Sequence, residues 1–382
     1  MKFPLFPFLL AGLLSAVFLS CSSSEGESTE VADTESDPST SISRPGAPLT
    51  FTVNIDHFRM RDKPGLDGDV LATLNQGDQL TDLGEMSSFT TRIKLRGIWF
   101  NEPWLKVKTE AGESGWVYAG GLHFDLDTGE QLAEKLMQKR LENLFGEDLA
   151  ASIANYRRAY QQVKAAADFA AVYRQGLQLR DSLNTVLEKK IEVPDLDKRP
   201  DLYWLEEAMP GYLVQLVAEG TIYYLFQDYK IWDKLARRST GKDDDDFIAF
   251  QYSVHPIDSI EYFFPAWIIQ TWDYGGHSEL GKGVHNSLLK RANLLMANGT
   301  IFEPELLAVK KELLADILTK EQTYWQSQAA ILQELDSILK ERYGILTEEE
   351  LQAIKARRNE FEHPAAAGIK LNLRAGGYDT GG

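Results

Sequence analysis

The pattern of apolar and polar positions divides the chain into four stretches. Residues 3–19 form an apolar run broken by Pro4, Pro7, Gly12 and Ser15, with Lys2 as the only charge before it. A permanent membrane helix needs about 20 continuous apolar residues, so the pattern predicts an export signal over 1–20 instead. From Ser22 to Thr50 the residues are mainly Ser, Thr, Glu, Asp and Pro, and Glu25, Glu27, Glu30, Asp33, Glu35 and Asp37 all precede the first basic residue, Arg44. Such a segment cannot bury a core, which predicts a disordered acidic tether over 21–50. As a flexible coil it would reach roughly 30 Å.

From Phe51 the period becomes two. Phe58 and Met60, then Val70, Leu71, Leu74 and Leu80, alternate or cluster around Lys63-Pro64-Gly65 and Asn75-Gln76-Gly77-Asp78. Trp104-Leu105-Lys106-Val107-Lys108, a turn at Glu110 to Glu113 and Gly115-Trp116-Val117-Tyr118 repeat the pattern. Strand, turn and strand again predict a small β module over 51–124. Met86 to Pro103 reads as an extended hairpin inserted in it, with Arg92-Ile93-Lys94-Leu95-Arg96 alternating before Gly97 and Ile98-Trp99-Phe100.

After Asp125 the period changes to three or four, predicting a larger all-α domain over 128–365. Thr128 to Gln131 reads as a capping box ahead of Leu132, Leu136, Leu141 and Phe145, with Gly146 as a stop. A second run passes through Ile153, Tyr160 and Tyr173 towards Glu188; a third opens at Pro304 and extends to Gly344, and Thr347 to Glu350 is another capping box. The stretch from Tyr203 to Tyr274 is dense in aromatics and is expected to be helical core, with a sugar- or peptide-binding surface as its alternative. Residues 366–382 form a glycine-rich tail.

Composition narrows the function. Of 382 residues, 40 are Lys or Arg and 57 are Asp or Glu, giving a net charge of −17. That excess repels phosphate backbones, and no basic stripe offsets it, so no nucleic-acid partner is expected. Cys21 is the single cysteine and lies at the end of the export signal, so the folded part contains no disulfide, cysteine metal site or thiol nucleophile.

Phe18-Leu19-Ser20-Cys21 resembles the lipobox of bacterial lipoproteins. The resemblance implies cleavage after Ser20, palmitate-type acylation of Cys21 and tethering to a bilayer through the acyl chains. Ser22 after the cysteine implies the outer membrane. Residues 51–124 resemble the bacterial SH3-type domain. Phe58-Arg59-Met60-Arg61-Asp62-Lys63-Pro64-Gly65 matches its opening strand and loop, Leu74 to Leu80 its middle, and Trp104 to Val107 with Gly115-Trp116-Val117 its close. The resemblance implies a small SH3-like β-barrel that binds a cell-wall peptide (peptidoglycan) or an envelope protein through aromatics. Candidates are Trp99, Phe100, Trp104, Trp116 and Tyr118, with Trp104 and Trp116 also expected in the core and Trp99 and Phe100 as the better ligand contacts.

Asp273-Tyr274-Gly275-Gly276-His277-Ser278-Glu279-Leu280-Gly281-Lys282-Gly283-Val284-His285 offers further chemistry. As a phosphate loop it lacks the hydroxyl after Lys282, and as a nucleophile elbow it has Leu280 where glycine is needed. Asp273, His277, Glu279 and His285 could ligate zinc, but their spacing is not that of ligands one helical turn apart. No cofactor is expected. The favoured reading is therefore a multi-domain, non-enzymatic envelope lipoprotein, a binding or scaffold module. The alternative is a cell-wall hydrolase or metal-dependent enzyme housed in the helical domain.

Overall fold

The computed structural model describes residues 41–43, 48–124, 131–191, 202–217, 222–256, 264–269, 276–320 and 324–371. The export signal, Cys21, the tether up to Thr40, the capping box at Thr128, Asp273 and the end of the glycine-rich tail lie outside them.

The N-terminal part is a curled antiparallel half-barrel. It comprises β1 (Ser41–Ser43), β2 (Thr50–Val53), β3 (Phe58–Arg61), β4 (Val70–Leu74), β5 (Gln79–Leu95), β6 (Ile98–Thr109), β7 (Ser114–Tyr118) and β8 (Leu122–His123). The order across the sheet is β4-β3-β7-β6-β5-β2-β8, with β1 paired to β5 beside β2. Ser41 to Ser43 lie in the segment expected to be tether, and they form this strand. Phe51, Met60, Leu80, Leu105, Val107 and Val117 are the buried centre. β5 and β6 form one long hairpin closed by Arg96 and Gly97, at φ of 45° and 85°. Two successive positive φ values are the type I′ turn, whose twist matches that of the strands it joins.

The C-terminal part contains ten α-helices among the described residues. α1 (Gln131–Phe145) and α2 (Glu147–Gln161) turn back on each other at Gly146, and α3 (Ala166–Lys190) follows. α4 (Trp204–Ala208) leads to β9 (Tyr212–Val217) and β10 (Ile222–Gln227), an antiparallel hairpin. This corrects the all-α expectation. Both arms are rich in β-branched and aromatic residues, which suit a pleated ladder as well as the helix interior expected of them. α3 carries the hairpin: the Asn184 side chain accepts from the Leu225 amide at 2.8 Å and donates to its carbonyl at 3.4 Å.

α5 (Tyr229–Ala236) and α6 (Asp243–Val254) complete an aromatic core around Trp232, whose indole meets Tyr173 at 5.1 Å, Phe169 at 5.4 Å and Tyr160 at 5.8 Å, all tilted towards edge-on. His255 caps α6 and stacks on Tyr229 at 5.7 Å. β11 (Ile268–Ile269) and β12 (His277–Ser278) form a short bridge ahead of α7 (Val284–Ala297), α8 (Glu303–Leu318), α9 (Gln328–Glu341) and α10 (Glu348–Glu360). The run expected as one helix from Pro304 to Gly344 is thus two, α8 and α9. Arg357 of α10 holds the end of α8, donating to the carbonyls of Ile317 at 3.2 Å and Thr319 at 2.6 Å.

The sheet and the helices meet at Arg140 of α1. Its guanidinium grips Glu102 of β6 through two bonds, 2.7 and 3.2 Å, and donates to the carbonyls of Ala119 at 2.8 Å and Leu122 at 3.0 Å. The two side chains are 1% and 0% exposed. The rings of Phe124, Phe100 and Trp204 lie 4.5, 5.7 and 6.0 Å from the guanidinium carbon.

Arg140→Leu leaves the Glu102 carboxylate buried without its partner and should cost about 3–5 kcal/mol in denaturant unfolding. The matched Arg140→Leu/Glu102→Leu pair should recover most of that loss, because no charge is then stranded. A second prediction concerns pH. Burial pushes the His255 imidazole from 6.5 down to about 4, with the charge of Arg180 acting in the same direction. The unfolded chain therefore takes up a proton at His255 near pH 6.5, whereas the folded chain resists until about pH 4. This stabilisation is complete above the unfolded value and is lost as the pH falls towards 4. Its full size is about 3 kcal/mol. His255→Phe keeps the stack on Tyr229 and should flatten the slope of stability against pH in that window.

Candidate functional site

The aromatics of the β module divide by face. Trp104, Trp116, Tyr118 and Phe100 are buried, and the polar tips of two of them are engaged. The Trp104 indole donates to the Thr91 hydroxyl at 2.8 Å, and the Tyr118 hydroxyl donates to the Thr91 carbonyl at 2.6 Å. The Glu102 amide donates to the same Tyr118 oxygen at 3.1 Å, so Tyr118 holds the backbone of the residue whose carboxylate Arg140 grips. Burial pushes the Tyr118 phenol well above its ordinary range. Phe100 packs beneath the Arg140 guanidinium. Trp104 and Trp116 lie in the core, as also expected of them, and Tyr118 and Phe100 are buried with them. Trp99 alone of the five is half-exposed.

Trp99 sits on the outer face of the β5–β6 hairpin for a reason that strand alternation supplies. Ile93, Ile98 and Phe100 point inward and are buried, while Arg92, Lys94 and Asn101 point outward. The register sets Lys94 opposite Trp99 and Arg92 opposite Asn101, and the Arg92 guanidinium lies 4.5 Å from the centre of the Trp99 ring. Arg96 follows in the turn. Among the described residues no carboxylate lies within ion-pair distance of Arg92, Lys94 or Arg96. In a chain of net charge −17 this face gathers cations around an indole, with no acidic partner among the described residues. Such a face can take an anionic group by charge and a flat or sugar-like group by stacking. The cleft beside it, lined by Leu95, Arg96, Phe100, Arg140 and Trp204, has a volume of only about 20 Å³. That is room for about one water, so a ligand would lie on the face and not in a cavity.

The glycine-rich segment has a different role. Ser278 donates to Asp316 at 2.6 Å, and His285 Nε2 lies 2.7 Å from the same carboxylate oxygen. Ser278 and His285 thus meet at the acid and not each other, and both are 0% exposed. Glu279 is buried and bonds Lys282 and Gln326, while His277 packs near the Trp325 ring. Among the described residues no group of His, Cys, Asp or Glu could hold a metal, so His277, Glu279 and His285 do not form the zinc set considered above. Glu334 of α9 fills the turn instead. Its carboxylate accepts from the amides of Gly281 at 2.6 Å, Gly283 at 2.9 Å and Asn286 at 3.0 Å. Gly281 and Gly283 have φ of 99° and 87°, which lets successive amides aim at one anion. The loop that reads like a phosphate cradle is built to hold an internal carboxylate, which also caps the N-terminus of α7. Sequence reasoning missed Asp316 and Glu334 because each lies on another helix, 31 residues from His285 and 53 from Gly281.

Comparison with known proteins returned no matching family model, no matching curated protein and no matching solved structure.

Glu334→Ala strands three amides and should lower stability by about 3 kcal/mol, read from the midpoint of chemical denaturation. Lys282→Ala, whose side chain is 53% exposed, should change it by less than about 1 kcal/mol.

Proposed function

We propose that this chain is a lipid-anchored cell-envelope lipoprotein whose N-terminal β module, an SH3-like barrel by resemblance, binds an anionic cell-wall peptide. The outer face of the β5–β6 hairpin makes the contact. The observation that carries the reading is the set Arg92, Lys94 and Trp99 on one face, with the Arg92 guanidinium over the indole and no acidic partner among the described residues. Wall stem peptides present carboxylates and their glycans present flat sugar faces, which match those two kinds of contact. The helical domain backs the module through Arg140, which bonds Glu102 of the hairpin and the Ala119 carbonyl. Acylation at Cys21 supplies the anchor; no helix among the described residues is long and apolar enough to cross a membrane. Ser22 after the cysteine favours the outer membrane.

Two measurements test this. Trp99→Ala and Arg92→Ala/Lys94→Ala should each weaken co-sedimentation with purified peptidoglycan by about 10-fold, the scale of losing about 1.4 kcal/mol. Their melting temperatures should match the parent. Unchanged sedimentation would remove the hairpin from the binding face. Radiolabelled palmitate should enter the chain in cells and be lost in Cys21→Ala; label that persists in that variant would overturn the anchor.

A further inference from the structure

The turn at Arg96 and Gly97 fixes which way each peptide group of β5 points. In a two-residue hairpin the flanking pair, here Leu95 and Ile98, exchanges hydrogen bonds across the ladder. Alternation then turns the N–H and C=O of Ile93 and Thr91 towards β6 as well. The bonding agrees, because the Tyr118 hydroxyl bridges the Thr91 carbonyl to the Glu102 amide directly opposite on β6. The N–H and C=O of Thr90, Arg92 and Lys94 consequently point out of the other edge. Pro103, which has no N–H to give, stands opposite Thr90, where the ladder needs none. Over residues 90–95 that outer edge has no partner strand among the described residues. A few residues earlier, at 85–87, the same edge already holds one added antiparallel strand, β1. The two faces flanking the edge differ in chemistry. Arg92 and Lys94 are exposed on the outer face, whereas on the inner face Ile93 is buried and Leu95 half-buried. Residues directly opposite each other across a ladder share a face, so a strand laid here matches best when acidic residues alternate with apolar ones.

We propose that this edge of β5, residues 90–95, receives an extended segment of a partner protein as an added antiparallel strand, with acidic residues beside Arg92 and Lys94 and apolar ones beside Ile93 and Leu95. Backbone pairing supplies the attachment, and the two faces supply the choice of sequence. A second copy of the hairpin is the poorer occupant, because it sets Arg92 and Lys94 against their own like charges. Strand addition goes beyond the wall-binding reading and does not rest on it, since a ligand on the Trp99 face uses side chains and leaves the edge groups of the backbone untouched.

Hydrogen exchange on the full chain, read amide by amide, tests this with a synthetic probe: an acetylated, amidated peptide of alternating Glu and Val, about six residues long. At about 1 mM probe, exchange at the Arg92 and Lys94 amides should slow at least about 5-fold, while that of Ile93, which already faces β6, should not change. In the antiparallel register the Glu amides of the probe face β5 and its Val amides face away. N-methylation of the Glu amides should therefore weaken binding at least about 10-fold, and N-methylation of the Val amides should not. A peptide of alternating Lys and Val should leave the parent chain unprotected but protect Arg92→Glu/Lys94→Glu, with retained protection at Ile93 showing that the hairpin of that variant is folded. Unchanged exchange at Arg92 and Lys94 with the Glu-Val probe, or binding indifferent to which amides are methylated, would overturn strand addition and leave wall binding at Trp99 standing. Wall co-sedimentation unaffected by Trp99→Ala strikes the wall reading alone. Slowing at Arg92 and Lys94 that grows with protein concentration in the absence of probe would give the edge to a second copy and also overturn the partner assigned here.

Discussion

The fold depends on a charge that neither half can leave by itself. Glu102 sits on a strand of the sheet with its carboxylate out of water, and the guanidinium that neutralises it comes from the first helix of the other half. Two carbonyls at the end of the sheet take further bonds from that guanidinium, so Nε and Nη2 together reach three acceptor residues in a fixed arrangement. A buried ion pair need not add net stability over an apolar contact of equal volume, but its geometry admits one docking arrangement. Tyr118 extends the constraint into the sheet, since its hydroxyl links the Glu102 amide to the Thr91 carbonyl.

That arrangement decides which aromatics of the module remain in water. Docking α1 against β6 covers Phe100 and Phe124, and barrel packing covers Trp104, Trp116 and Tyr118. What stays in water is the outward face of the hairpin, where alternation places Arg92, Lys94 and Trp99. The hairpin can carry such a face because its inward residues, Ile93, Ile98 and Phe100, are held by the core.

The acidic excess also has an internal use. Glu334 fills the glycine turn ahead of α7, Asp316 gathers Ser278 and His285, and Asp228 accepts from the amides that open α5. Each carboxylate satisfies donors that would otherwise be stranded in the interior or at a helix end. Most arginines are likewise engaged within the fold: Arg157 with Glu134, Arg174 with Glu305, Arg358 with Asp336. Arg92 and Lys94 of the hairpin have no acidic partner among the described residues.

Local pattern was enough to read much of this chain. The change of period after Asp125 marks the passage from sheet to helices, the Thr347 capping box forms with both of its bonds, and Gly146 ends α1. The hairpin around Gly97 was legible because alternation and a turn residue fall within a dozen residues. The β9–β10 hairpin was not, since its aromatic-rich arms suit a strand and a buried helix equally well until a partner such as Asn184 is present. The aromatics of the module were recognisable by type, but barrel packing decided the burial of Trp104, Trp116 and Tyr118, and α1, a helix the module's own sequence does not contain, covers Phe100. The same holds for the glycine segment, whose anion comes from a helix 53 residues on. Sequence by itself determined element type, since φ and ψ preferences and periodicity act over a few residues. Only tertiary structure decided which charges and rings are spent on the interior, because burial is a property of pairs of elements that meet only when the chain has folded.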